Sequence, residues 1–228
     1  MTGHPRWRGL DDLFDRVPLG DDAKASLLAK MSAPDRHYHG VEHLRSLWRR
    51  HREHATRAGL ATPTIERMIA CAIAYHDCVY DARRRDNEHR SAEVWLRDSE
   101  GNAAMSADER AWVAETIRAT QDHLAYRPEP PDDLDVATRA RLWMLDIDLT
   151  SLGESPDVFA RNTALLRREA AHLADPEWRA GQRAFLRRCL DAPRIYRTPV
   201  LFALYERRAR DNLARYLTEI PDEEPPPA

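Results

Sequence analysis

The sequence predicts an all-α protein. Apolar residues recur at i, i+3, i+4 spacing along almost the whole chain, and no segment sustains the alternation of β-branched residues expected of a strand. Proline or an acidic residue stands where several of the apolar runs begin, as helix start signals do. In order, Leu10, Leu13 and Phe14 begin a short helix, and Asp21 or Asp22 caps a second over residues 23–31. A long helix over residues 39–57 carries Val41, Leu44, Leu47 and Trp48. After Pro63, the residues Ile65, Met68, Ile69, Ala72, Ile73 and His76 form one stripe on the most apolar helix of the chain, which places it at the core. Further helices are predicted over residues 88–97, 108–121, 136–145, 157–173, 176–190 and 199–217.

A chain of 228 residues, 43% hydrophobic and 32% charged, can bury a sizeable core and has the composition of an ordinary soluble protein. No stretch is apolar enough to span a bilayer, and residues 1–10 lack the apolar run of a signal peptide. The proline-rich stretch 126–133 reads as a surface connection within one domain over 1–219, and the acidic tail 220–228 as disordered. A net charge of −3 gives no bulk electrostatic reason to bind nucleic acid or an acidic membrane. The basic residues are arginines apart from Lys24 and Lys30. Cys71, Cys78 and Cys189 are odd in number and lack C-x-x-C spacing, which predicts buried, reduced thiols in a cytoplasmic protein. The sequence leaves the oligomeric state open, a homo-oligomer included.

Three clusters place His and Asp inside or at the ends of apolar helices. The first runs from Arg36 to Leu44 and contains His37, Tyr38, His39 and His43, with His39 and His43 spaced to share a helix face. In the second, Tyr75-His76-Asp77-Cys78-Val79-Tyr80, an apolar helix ends in an adjacent His-Asp pair. The third is Leu145-Asp146-Ile147-Asp148-Leu149. A carboxylate in such surroundings is expensive to bury unless a cation pairs with it, and imidazole with carboxylate suits a divalent metal. Taken singly, a His-Asp dipeptide is usually coincidence and an acid at a helix end usually a cap. The ordered combination on successive helices is more specific.

That order, His43…His76-Asp77…Asp148, resembles the HD superfamily of metal-dependent phosphohydrolases, and within it a small bacterial branch of predicted HD hydrolases. Matching segments are Tyr38 to His43, His76 to Tyr80, Asp86 to Ala92, Asp146 to Gly153, Ile195 to Thr198 and Glu206 to Leu213. The resemblance implies an all-α HD-domain bundle, here with additional C-terminal helices. It implies His43, His76, Asp77 and Asp148 as ligands of a divalent cation (Mn, Mg, Zn, Fe, Co or Ni), with Asp146 the alternative last ligand. His39 resembles the general-acid histidine of cyclic-nucleotide phosphodiesterases, a structural role being the alternative. Binuclear members carry further histidines, for which His123 is a candidate and Glu88 a substitute, so the chain takes one metal or two.

The implied activity is hydrolysis of a phosphate ester or anhydride of a nucleotide or related small metabolite. The cation would activate water and polarise the phosphoryl group, and Asp77 would orient the water. Arginines would meet the phosphate charge: Arg36 beside the histidines, Arg84 or Arg85 after the His-Asp turn, and Arg197 or Arg210 near the C-terminus. Three rivals remain. His39-Gly40-Val41-Glu42-His43 matches the H-x-x-E-H motif of inverted zinc proteases, with Glu115 a conceivable third ligand, but this leaves His76-Asp77 and Asp146/Asp148 unexplained. Di-iron HD oxygenases use a fuller histidine set, and a degenerate binding module would keep the fold without catalysis.

Overall fold

The structure, a computed structural model, describes residues 9–128 and 134–220, and within them ten α-helices and no strand. They are α1 (Asp11–Arg16), α2 (Asp21–Met31), α3 (Val41–His54), α4 (Pro63–Tyr75), α5 (Asn87–Asp98), α6 (Ala107–Ala119), α7 (Val136–Asp148), α8 (Pro156–Glu169), α9 (Asp175–Asp191) and α10 (Pro199–Glu219). Every predicted helix is present. The tail at 221–228 and residues 129–133 of the predicted connection lie outside the described residues.

Helix α4 forms where the sequence is most apolar. Thr62 caps it by accepting from the Ile65 N–H, Pro63 fills the first turn, and the residues from Met68 to Tyr75 are all buried. It packs against α1, α3, α5, α6 and α7 and is the centre of the bundle. One apolar cluster runs from Leu10 to Ile220 around it. Four tryptophans bind this bundle at its seams, because a buried indole N–H needs a partner. Trp48 donates to Asp12 at 2.9 Å, Trp95 to the Arg110 carbonyl at 2.9 Å, Trp112 to the Ala137 carbonyl at 3.0 Å and Trp143 to His51 Nδ1 at 3.2 Å. The three cysteines are unpaired and buried.

Several boundaries differ from the sequence reading. Gly20, not Asp21 or Asp22, is the N-cap of α2, and the two acids lie in its first turn, where they meet the positive end of the helix dipole. Helix α3 starts at Val41, with Gly40 extended before it. A Cβ at Gly40 would stand 3.1 Å from the Met31 carbonyl oxygen, so glycine permits this close approach to the end of α2. His39 therefore precedes the helix and shares no helical face with His43. Helix α6 is fixed by a capping box between Ser106 and Glu109 and ends at Ala119, after which Thr120–Asp122 tightens into a 3-10 turn. Helix α7 continues past Leu145 to Asp148, which carries both acids into its last turn.

The C-terminal helices are tied to the end of α7 by buried polar groups. Tyr196 donates its hydroxyl to the Leu149 carbonyl at 2.8 Å, and Asn212 on α10 donates to the Leu152 and Glu154 carbonyls at 2.9 and 2.8 Å. Glu206 accepts from the backbone of Ile195 and Tyr196 and from Arg210. Gly153 is pressed against α10, where a Cβ would meet the Tyr205 Cβ at 2.8 Å.

His51 in α3 is fully buried, stacks on Trp48 at a centroid separation of 5.1 Å, and accepts from Trp143 on Nδ1. Its proton therefore sits on Nε2, which has no partner. Burial, reinforced by the Arg52 charge, pushes its pKa down from 6.5 to about 4. The unfolded chain takes up this proton before the folded one does, so the stability is intact above the higher value and is lost as pH falls toward the lower. Between about pH 7 and about pH 4, wild type should lose roughly 3 kcal/mol more than His51→Gln. Urea unfolding at the two pH values measures this; equal losses would refute it.

Candidate metal centre

Three helix ends bring the clusters together. His43 lies in the first turn of α3, and its N–H is bonded to the Gly40 carbonyl at 3.1 Å. His76 is the C-cap of α4, its N–H on the Ala72 carbonyl at 2.9 Å, so Asp77 leaves the helix at the first non-helical position. Asp148 is the last residue of α7. The three elements meet at their buried ends. His43 Nε2 is 3.2 Å from His76 Nε2 and 3.0 Å from Asp148 Oδ1, and His76 Nε2 is 3.7 Å from Asp148 Oδ1. Asp77 Oδ2 stands 2.9 Å from His76 Nε2 and 3.7 Å from His43 Nε2. Adjacent ligands bound about 2.1 Å from one cation stand about 3.0–3.4 Å apart, the range around which these separations scatter. His43, His76 and Asp148 can hold a metal ion.

Protonation supports that fit. His76 Nδ1 lies 2.9 Å from the Ile73 carbonyl, which only accepts, so Nδ1 carries a proton and Nε2 is the nitrogen turned into the cluster. Two imidazole nitrogens and two carboxylates converge there, and Asp77 Oδ2 is buried with His76 Nε2, at 2.9 Å, as its near neighbour. Such a donor set needs a positive charge at its centre. Without a metal, the histidines supply that charge. Burial would lower His76, but the Asp77 and Asp148 charges outweigh it and raise the value to about 9. Burial would raise Asp77 and Asp148, but His76 foremost and its neighbouring histidines hold both well below the usual carboxylate range.

His39 stands beside this cluster. Its Nδ1 is 2.6 Å from Glu169 Oε2, and Glu169 Oε1 accepts the backbone N–H groups of Tyr38 and His39 at 2.6 and 2.9 Å. The ring lies against Tyr80, centroids 4.4 Å apart. Burial would lower the His39 pKa; the charge of Asp77 and the bond to Glu169 reverse this, and the net direction is up. Tyr38 packs on His43 at 5.2 Å, and its hydroxyl bonds to Ser151.

His123 Nε2 reaches Asp148 Oδ2 at 2.7 Å, on the opposite oxygen from His43. Glu88 is half-buried in the first turn of α5. Its carboxyl is raised by burial and by the Asp77 charge, with His123 and His76 opposing, which puts it in the same electrostatic field.

Other sequence candidates have different duties. Asp146, the alternative ligand, is fully buried on the far side of α7. Its Oδ2 accepts from the Arg197 and Thr198 N–H groups, both at 2.7 Å, and from the Thr198 hydroxyl at 2.8 Å. Its Oδ1 accepts from Arg197 Nε and Nη2 at 3.1 and 2.9 Å, so both oxygens are filled. Arg197 is consumed in that pair and by the Tyr126 carbonyl, and Arg210 by Glu206 and the carbonyls of Leu190 and Ala192. Arg84 pairs with Asp86 at the surface, and Arg85 is exposed with no described contact to the cluster. Arg36 is close but differently used: its guanidinium donates to the His39 carbonyl at 2.9 Å, the Asp77 carbonyl at 2.6 Å and the Cys78 carbonyl at 3.4 Å. It pins the His-Asp turn to the segment before α3 and has no reach left for a phosphate. The H-x-x-E-H reading also loses its acids, since Glu42 is exposed and paired with Arg45, and Glu115 with Arg141.

Glu169 escaped the sequence reading. It lies in an arginine-rich, polar stretch at the end of α8, and nothing in its neighbours separates it from a solvated helix residue.

Two substitutions on α7 separate the roles of its acids. Asp148→Asn should abolish tight binding of manganese or zinc by the metal-stripped protein while the fold persists, as should His76→Ala. Asp146→Ala should instead leave Arg197 buried and unpaired and destabilise the fold by about 3–5 kcal/mol. Titration calorimetry and urea unfolding distinguish them; an Asp148→Asn protein that binds metal as wild type does would exclude the centre. Compared with models of known protein families, with curated proteins and with solved structures, the chain matches none.

Proposed function

We propose that the chain is a metal-dependent phosphohydrolase of the HD type, acting on a phosphate ester or anhydride of a small phosphorylated metabolite such as a nucleotide. The observation that carries this reading is the convergence of His43, His76, Asp77 and Asp148 on one buried space, with a carboxylate-held histidine, His39, at its edge. His43, His76 and Asp148 would hold a divalent cation, with Asp77 as the fourth ligand through its unpaired Oδ2. The cation would supply Lewis acidity to a phosphoryl oxygen and lower the pKa of water near it.

The chain's own groups complete the chemistry. Glu169 fixes His39 through Nδ1 and leaves Nε2 as the nitrogen that faces substrate. His39 then donates its proton to the oxygen that departs when the P–O bond breaks, while the oxygen of water ends on phosphorus. Arg36 keeps the segments bearing His39 and Asp77 in register by bonding the carbonyls of both. Asp148 offers one oxygen to His43 and the other to His123, and a second cation would be held by His123 with Glu88.

A panel of nucleotides and simple phosphoesters, each with Mn, Mg, Co, Ni, Fe and Zn, should reveal metal-dependent phosphate release. Bound metal with no phosphate released from any of them would end the hydrolase reading in favour of oxygenase or binding roles. In the active combination, His39→Gln should lower kcat by about 10²–10⁴-fold with metal content unchanged. Glu169→Gln removes the anion that holds the imidazolium, so the basic limb of the pH–rate profile should move to lower pH. A Glu169→Gln profile identical to wild type would show that Glu169 has no part in positioning that proton.

A further inference from the structure

The cluster opens on one side into a cleft of about 780 Å³ between α3 and α8, whose lining includes His43 and Asp148. A second cavity of about 750 Å³ lies beyond Tyr38, lined by Leu28, Ala29 and Met31 among others, and reaches none of the four converging residues. In the α3/α8 cleft, Arg45 is paired with Glu42 and Arg50 with Glu154, which cancels those charges. Arg49 on α3 and Arg161 on α8 also line it, one from each wall; both are exposed, and neither makes a hydrogen bond or ion pair with any described residue. The remaining positive charge of the cleft is therefore concentrated on two unengaged guanidinium groups, with Asn162 beside Arg161 as a further polar group.

We propose that this cleft is the substrate site and that it takes a small molecule with two phosphoryl groups, one at the His/Asp cluster and the second between Arg49 and Arg161. This rests on reading the cluster as a phosphohydrolase centre, and it deepens that reading by naming the substrate class. A dianionic phosphate suits two guanidinium groups, each of which can pair with it bidentately, where a carboxylate would need only one. Arg49 follows His43 by six residues, a rise of about 9 Å along α3, which sets the scale of the spacer between the two phosphoryl groups. None of the arginines predicted from sequence to meet phosphate lines this cleft; Arg36 lines the neighbouring cavity, where its Nη1 and Nη2 donate to backbone carbonyls.

The test is titration calorimetry of the manganese-loaded full chain with two compounds that cannot be hydrolysed: hexamethylene bisphosphonate and the matching hexyl monophosphonate. The bisphosphonate should bind about tenfold more tightly or better, since a hydrogen bond between charged groups is of that size. The double substitution Arg49→Gln with Arg161→Gln should bring the two affinities together, with an unchanged thermal midpoint because both side chains are exposed. Equal affinities in wild type, or a difference that survives the double substitution, overturns the proposal. Neither result depends on turnover. An arginine-dependent preference in a protein that releases no phosphate from any ester would sustain the two-anion cleft and overturn hydrolysis alone.

Discussion

Two carboxylates two residues apart in the last turn of α7 meet opposite fates, and the site depends on that division. Residues i and i+2 on a helix point to nearly opposite sides. Asp146 turns away from the cluster into a pocket where Arg197 and Thr198 supply every hydrogen bond its oxygens can use. Asp148 turns toward three imidazoles. A buried ion pair is a poor source of net stability but is costly to break, so the Asp146 pair acts chiefly as a constraint on geometry. It fixes the rotation of α7 about its axis, and with it the direction in which Asp148 points.

The same constraint gives the C-terminal helices a purpose. Thr198 is the N-cap of α10 and Arg197 precedes it, so the clamp on Asp146 is also the start of that helix. Farther along, Asn212 holds the carbonyls of the turn after Asp148, and the absence of a side chain at Gly153 lets that turn lie against Tyr205. Tyr196 closes the remaining carbonyl of Leu149. Each of these groups satisfies backbone that a helix end would otherwise leave unpaired. Helices far along the chain from His43 thus set the position of the acid His43 meets.

What was legible in the sequence follows from this physics. The helices were readable because each buries one stripe of apolar residues, and a stripe survives in a one-dimensional pattern. The clusters that hold His43, His76-Asp77 and Asp146/Asp148 were readable because titratable groups interrupt those stripes, while the choice of Asp148 over Asp146 came from the family resemblance. The end of α7 was misjudged because Asp146-Ile147-Asp148 breaks the helical period at the place where both acids are buried for electrostatic reasons. Arg36, Arg197 and Arg210 were misassigned because each has acceptors contributed by distant segments, Asp77, Asp146 and Leu190 among them, which leave no mark beside it in the chain. Glu169 and Arg161 were invisible for the converse reason: their surroundings on α8 are those of any exposed helix, and only the folding of α8 over the site gives them partners or an unoccupied cleft.

Arg36 offers the strongest argument that the cluster is more than a set of internal ion pairs. A structural cluster can be closed by a neighbouring arginine, and Arg36 lies beside this one. It reaches the backbone carbonyl of Asp77 at 2.6 Å and lies over the ring of Tyr80, yet it gives nothing to the Asp77 carboxylate. Asp77 Oδ2 stays buried and unbonded within 2.9 Å of a histidine nitrogen. Leaving a buried carboxylate oxygen unsatisfied costs about 1–3 kcal/mol or more, and an arginine so near could relieve it by a change of rotamer. The fold instead spends that arginine on holding two loops together. Arg36 thereby leaves the carboxylates of Asp77 and Asp148 to the histidines around them, in the group of His43, His76 and Asp148 that can hold a metal ion.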